Sequence, residues 1–567
     1  MPRRPLANTL SASTTDFPAS SAPIGRAHGQ ARSLAGHRFS ARNFYIGLTV
    51  VALVIGAASL LVPSTPSYDP WSWIVWGREI IHLNLKITTG GTSWKPLPMI
   101  FTIPFALFGK AAPNLWLVIA RAGAFAAVVM TFRLAYRLTR QLAVSFRDRA
   151  EADGGLATIA PALLAGLIAA VALAFSASGG FISANTLGYS EGFATALMLI
   201  AIERHLDGKP RQAFVVGFFV ALDRPEIWLF WGPYGLWLFW KDAGARALII
   251  GCFVLIPILW FLPVYWGSGQ FGSSVTRAVH PRANSLAFAK FPFEAELKRA
   301  AWPTMLLRVK VLAVLLVLAT SVVLWRARRR EGNTALRTPR ARALLTAAAM
   351  GIGGLAWFLV IAVMTQVGFS GNNRYLVLGA SLVDICGAVG FGWLALELGH
   401  GAAAWRGRRR AGSGSAEPGA GSRTLVTAAT VLVAAFFVLA PNWVGGGLVS
   451  LPRTHGSLVY QAHLRQGLAK LVDRYGGPRK VLACGTVMTE GFQVPMLAWT
   501  LDVHTVRVEG PPAPETTPGA APNVILQTRD TRSATLLPYL SSWPTVKYHY
   551  VGTEGPVHMF THCANAT

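Results

Sequence analysis

The chain has 567 residues, of which 53% are hydrophobic and only 14% charged, against roughly a quarter charged in a soluble domain, so an ordinary globular fold is excluded. Net charge is +27, from 52 Lys and Arg against 25 Asp and Glu. The excess is gathered in short loops between apolar runs, which is the positive-inside pattern of a membrane protein rather than a nucleic-acid surface.

Taken in chain order, residues 1–42 are rich in Ser, Ala, Pro and Arg without apolar periodicity and read as a disordered basic cytoplasmic tail. Residues 43–442 read as a transmembrane domain. The run 44–62 is long enough to cross a bilayer and leads to an outer loop, 63–97. Segment 98–109 is too short to cross and is expected to be re-entrant or interfacial. A span at 114–138 returns to a loop holding Arg137, Arg140, Arg147 and Arg149, and spans near 156–176 and 189–205 end at Lys209 and Arg211. The pair 212–222 and 227–240 is broken by Asp223-Arg224-Pro225-Glu226. A span at 247–265 opens a long outer loop, 266–303, and 304–325 returns to Arg326, Arg328, Arg329 and Arg330. Spans at 343–364 and 375–398 precede Arg408-Arg409-Arg410 and a Gly/Ser linker, and 424–441 exits. At the length a bilayer requires, this is about 11 spans, with the N-terminus cytoplasmic.

Residues 443–567 change character. An amphipathic helix is expected over 453–475, then short β-branched runs at 480–487, 503–508, 523–528 and 545–551 between Gly/Pro turns, which read as a small extracytoplasmic α/β domain. Cys252 and Cys386 fall in apolar spans, whereas Cys484 and Cys563 lie in this segment and can pair in an oxidising compartment. No Cys/His spacing of zinc type and no glycine-rich phosphate loop occurs in the chain.

With basic loops placed inside, Asp69, Glu191, Asp223, Arg224, Glu226 and Arg374 all fall on the opposite side, a result the charge rule does not itself demand. Asp69 stands beyond the first span in Tyr68-Asp69-Pro70-Trp71, and is read both as a helix cap before proline and as a poorly solvated carboxylate able to act as a base. Glu79 and Glu191 are candidates for a second carboxylate, and Glu191 is preferred. Lys95, in Trp94-Lys95-Pro96-Leu97-Pro98, faces either a lipid phosphate or the head-group layer. Arg374-Tyr375 opens a late span, and arginine's planar fork suits a phosphate. Arg224 pairs with Asp223, Glu226 or a substrate. Arg121 and Asp384 lie inside spans, are expected to pair with each other or with polar backbone, and receive no catalytic role.

The order of these motifs over residues 44–400 resembles the GT-C glycosyltransferases, in particular the protein O-mannosyltransferase and lipid A aminoarabinose transferase families. Many members have a second acid where this chain has Pro70. The resemblance implies an inverting transfer of a monosaccharide from a polyprenyl-phosphate donor to a glycan, lipid or protein acceptor of the bacterial cell envelope, in cell-wall biogenesis at the plasma membrane. Asp69 would be the base, and Glu191 would assist it. Arg374, Tyr375, Lys95 and Arg224 would bind the donor phosphate, with Tyr68, Trp71, Glu79, Trp94, Asp223 and Glu226 in the groove. Some members use a divalent metal, and no ligand cluster here argues for one. Two other readings stay open. A flippase for a lipid-linked sugar would normally show internal repeats and mid-membrane ionisable groups. A non-catalytic assembly protein would tolerate loss of Asp69 but not of residues 450–567.

Overall fold

In hydrocarbon every backbone N–H and C=O must be satisfied within its own segment, so the long apolar runs have one solution, the α-helix. The computed structural model describes residues 41–87, 92–145, 156–175, 180–279, 281, 285–301, 307–411, 420–439, 449–510, 520–528, 543 and 545–563. The tail to residue 40, Arg147 and Arg149, and most of the Gly/Ser linker lie outside them. Leu48–Thr567 form one unit by themselves.

The helices are α1 (Ala41–Ala58), α2 (Tyr68–Ile81), α3 (Pro96–Ala106), α4 (Ala112–Ser145), α5 (Leu156–Phe175), α6 (Phe181–Thr186), α7 (Glu191–Leu206), α8 (Pro210–Ala221), α9 (Trp228–Lys241) and α10 (Arg246–Ser268). They continue as α11 (Ser273–Ala278), α12 (Pro292–Ala301), α13 (Leu307–Glu331), α14 (Pro339–Gln366), α15 (Val377–Ala411) and α16 (Ala420–Leu439). Among the described residues six helical stretches are long and apolar enough to cross a membrane: Ala41–Leu61, Gly109–Ala143, Ala243–Ser268, Arg308–Arg330, Pro339–Gln366 and Asn373–Arg406. Four shorter apolar helices accompany them, Pro96–Ala106 among them. This is a polytopic membrane protein. Its central helix is α15, packed against α4, α5, α13, α14 and α16. Small residues permit that approach: a Cβ on Gly390 would stand 2.7 Å from the Leu312 carbonyl oxygen, closer than a side chain can sit.

The C-terminal region adds α17 (Leu451–Arg474), α18 (Pro478–Cys484) and α19 (Val494–Thr500) around a sheet. Its strands are β1 (Val487–Thr489), β2 (Val508–Glu509), β3 (Val524–Thr528), β4 (His549–Glu554) and β5 (Val557–Thr561), in the order β2-β1-β3-β5-β4. β1 pairs parallel with β2 and β3, while β5 pairs antiparallel with β3 and β4. Cys484 and Cys563 form a disulfide across this domain, with Cα atoms 5.0 Å apart.

The runs 480–487 and 503–508 both depart from expectation, the second because Thr505–Arg507 form a 3-10 turn and only Val508 enters β2. The run 480–487 is mostly helix, because Pro478 fixes the first turn of α18 and Gly485, at φ +133°, ends it before β1 begins. The closing strand β5 is poorly marked in the sequence, since apolar Phe560 faces outward and polar Thr561 inward, breaking the alternation that Val557, His558 and Met559 begin.

One apolar core joins α2 and α3 to the C-terminal domain, running from Trp71, Trp73, Trp76 and Trp94 to Leu464, Leu468, Val487 and Val524. Burying such large rings contributes roughly 1.5–3 kcal/mol each, so α2 is fixed from both sides.

Candidate active site

Three local signals set the site's cations and acids in place. Lys95 and Arg224 each precede a proline, and the proline ring drives the preceding residue into extended backbone. Lys95 has φ −141° and ψ 117°, and Arg224 has φ −134° and ψ 107°. The two proline-started turns are tied by a backbone bond from Leu97 N–H to the Leu222 carbonyl, 3.0 Å, so both cations enter the same space. Third, Gly188 (φ +86°) turns the chain ahead of α7, and its carbonyl accepts from Trp116 Nε1 at 2.8 Å. That turn leaves Glu191 as the first residue of α7.

Asp69 is the second residue of α2, and Ser67 occupies the cap position. The capping alternative for Asp69 therefore does not hold. Its Oδ2 instead accepts from Arg374 Nη2 at 2.7 Å, while the first turn of α2 places it at the positive end of the helix dipole. Arg374 also reaches Glu191 Oε1 at 3.4 Å, and its guanidinium lies 4.0 Å from the Tyr189 ring centroid. Glu191, wholly buried, accepts from Arg224 Nη2. Arg224 stands 3.9 Å from Asp223 and 3.7 Å from Glu226, over the Tyr375 ring. Burial opposes the Arg224 charge, yet Glu191, Glu226 and Asp223 hold its pKa above the ordinary value. Lys95 Nζ lies 3.6 Å from Asp223 and donates to Ser190 Oγ at 3.1 Å. Lys95 is therefore turned inward and does not snorkel.

Four carboxylates thus meet three cations in one continuous network. Among the described residues no group of three or more His, Cys, Asp or Glu is arranged to hold a metal ion.

The network borders a groove of about 1170 Å³. Asp69, Lys95, Arg224 and Arg374 reach its polar part, with Tyr68, Trp94, Asp223, Glu226 and Tyr375 also on its walls. The other part is apolar, lined by Leu229, Phe261, Leu359 and Val363 from α9, α10 and α14. Leu229 is 63% exposed and Val363 53%, so this flank opens sideways along the spanning helices. The arrangement offers a long apolar chain one wall and its charged head another.

Two residues expected in the groove are elsewhere. Trp71 is buried against Trp499, ring centroids 6.2 Å apart, and Glu79 is buried beside His504 Nδ1 at 2.9 Å while accepting from Lys86 N–H. Both face the C-terminal domain, and burial raises the Glu79 pKa above the usual carboxylate range. Arg78 reinforces that contact through Asp502 at 2.8 Å and the Val503 carbonyl at 2.7 Å.

Groove residues that sequence reasoning missed include Arg277, Arg299 and Phe492. Arg299 donates to the Gly371 carbonyl and lies 3.7 Å from Glu296, whose carboxyl is pushed up to about 7 by burial, only partly offset by Arg299. Phe492 comes from the C-terminal domain and meets the Tyr68 ring edge-on at 6.0 Å. Arg121 makes no pair with Asp384; it bonds the Thr186 and Ser59 carbonyls.

No protein-family model matches the chain, and no curated protein matches it. Solved structures similar to it include ArnT from Cupriavidus metallidurans bound to undecaprenyl phosphate, at 14% identity over 93% of this chain and 99% of that one, TM-score 0.47. The same protein in the apo state is 13% identical over 92% and 98%, TM-score 0.45.

Proposed function

We propose that this chain is a membrane glycosyltransferase that moves a monosaccharide from a polyprenyl phosphate to a cell-envelope acceptor. The observation that carries the reading is the Asp69–Arg374–Glu191–Arg224 network standing at the polar end of a groove whose other flank is apolar and open along the spanning helices. An isoprenoid tail fits the apolar flank, and its phosphate fits the end that holds Arg374 and Lys95. The motif order over residues 44–400 supports the same family. It carries a finer topology of about 11 spans at bilayer length, with a cytoplasmic N-terminus and an extracytoplasmic C-terminal domain.

In the transfer, the Asp69 carboxylate takes the proton of the acceptor hydroxyl while that oxygen attacks the anomeric carbon. The bond from that carbon to the phosphate oxygen breaks, its electron pair leaving with the phosphate, and the configuration inverts. Arg374 is the pivot. Its fork holds Asp69 in the free protein, and a phosphate entering beside it takes over one of its donors, releasing Asp69 to act as base. Lys95 neutralises charge developing on the leaving phosphate. Glu191 and Arg224 hold Arg374 in position.

The reading is tested by incubating the purified protein with a panel of radiolabelled polyprenyl-phosphate sugars and a cell-envelope extract as acceptor. Label should pass to the acceptor fraction from at least one donor, with inverted anomeric configuration. Retention of configuration would overturn the single-displacement mechanism, and no transfer from any donor would overturn the enzyme.

A further inference from the structure

A second cavity, about 310 Å³, lies where the chain leaving α1, the first turn of α4 and α17 meet. Ser64, Asn114, Arg465 and Gln466 supply its polar lining, Leu60 and Pro63 its apolar lining. The candidate spans Ala41–Leu61 and Gly109–Ala143 both terminate at this level, which sets the cavity at the membrane boundary. Next to it in sequence, Leu61 is 88% exposed and Phe108 64%, as side chains in contact with lipid are.

The cavity is electropositive, and among the described residues no carboxylate lines it. Arg465 stacks over the Trp71 ring at 5.1 Å, and burial lowers its pKa with no carboxylate among the described residues to offset the shift. Behind the Ser64 wall, Arg121 Nη2 donates to Ser64 Oγ at 2.8 Å, and its other bonds go to Ser59 and to the Thr186 carbonyl, all neutral. A half-buried guanidinium with only neutral company is costly, and an anion beside it recovers that cost through charge-assisted hydrogen bonds. A soluble anion has no use for Leu60 and Pro63, whereas a lipid has use for both walls.

We propose that this cavity binds the phosphate of an anionic membrane lipid, with Arg465, Gln466 and Asn114 on the headgroup and Leu60 and Pro63 against the start of its acyl chains. The site is separate from the groove. It meets α2 from behind, since the ring under Arg465 belongs to Trp71, two residues from Asp69.

The test uses the full-length protein in phosphatidylcholine nanodiscs with phosphatidylglycerol titrated in, the retained lipid being counted by native mass spectrometry. Wild type should hold one phosphatidylglycerol in preference to phosphatidylcholine, and inorganic phosphate should not displace it. Arg465→Gln should weaken that lipid by about tenfold, the worth of one charge-assisted hydrogen bond. Arg465→Lys should keep most of the binding. Because Arg465 also rests on Trp71, Asn114→Ala serves as the variant that leaves that contact in place, and it should weaken retention several-fold. No preference in wild type, displacement by inorganic phosphate, or wild-type retention in both Arg465→Gln and Asn114→Ala would each overturn the proposal.

Discussion

Arg374 reaches from the start of the late spanning helix to Asp69, 305 residues earlier, at 2.7 Å. That single bond joins the two motifs which, in the sequence, are separated by most of the membrane domain. Replacing the fork by an amide removes the donor pair that serves both Asp69 and Glu191. Arg374→Gln should therefore lower transfer by about 10²–10³-fold, the usual size of a lost transition-state donor. Initial rates at saturating donor check this, with Arg374→Lys recovering only part of the loss because an ammonium lacks the fork.

Arg224 makes a different claim. It is buried among Glu191, Asp223 and Glu226, so removing it leaves several carboxylates unmatched in a low-dielectric site. Arg224→Gln should cost about 3–5 kcal/mol of stability, read as a lower midpoint in thermal unfolding of the solubilised protein. An unchanged midpoint would show the network to be hydrated rather than buried.

Phe492 is the C-terminal domain's contribution to the groove, and it is 61% exposed. Its loss removes little core, but it removes an aromatic face opposite Tyr68. Phe492→Ala should raise the apparent KM for acceptor by about 2- to 10-fold, in line with an aromatic contact, and leave the KM for donor near wild type. An effect on donor alone would place the acceptor elsewhere.

Glu296 gives a pH dependence with a definite sign. Its carboxyl, raised by burial, titrates at about 7 in the fold against an ordinary 4.5. Between those values the folded state binds the extra proton, so this group's contribution to stability falls as pH rises from 4.5 to 7 and is fullest below 4.5. Thermal midpoints measured across pH 5–8 should decline towards the alkaline side, and Glu296→Gln should flatten the slope.

What the sequence shows of this site follows from what each residue depends on. The gathering of Asp69, Glu191, Arg224 and Arg374 was visible because it follows from topology alone: basic loops fix one side, and whatever remains falls on the other. The placement of Lys95 and Arg224 rests on an X-Pro rule that acts locally. Trp71 and Glu79 leave the groove because the segment expected as loop is helix. Once residues 68–81 are helical, about 100° per residue turns Trp71 to roughly the opposite face from Asp69. That face belongs to the C-terminal region, whose docking depends on Arg78 meeting Trp499 and Glu79 meeting His504, pairs hundreds of residues apart in sequence. Phe492 and Arg299 were out of reach for the same reason. Nothing local marks them, and only the packed fold brings them to the groove.

The role of Asp69 as the base is tested most directly by one paired measurement. Purified wild type and Asp69→Asn are compared for binding of a polyprenyl-phosphate sugar and for transfer of its label to acceptor. Donor binding should stay close to wild type, with transfer reduced by about 10²–10⁴-fold, the range expected for loss of a general base. Transfer at the wild-type rate by a folded Asp69→Asn protein would contradict that role.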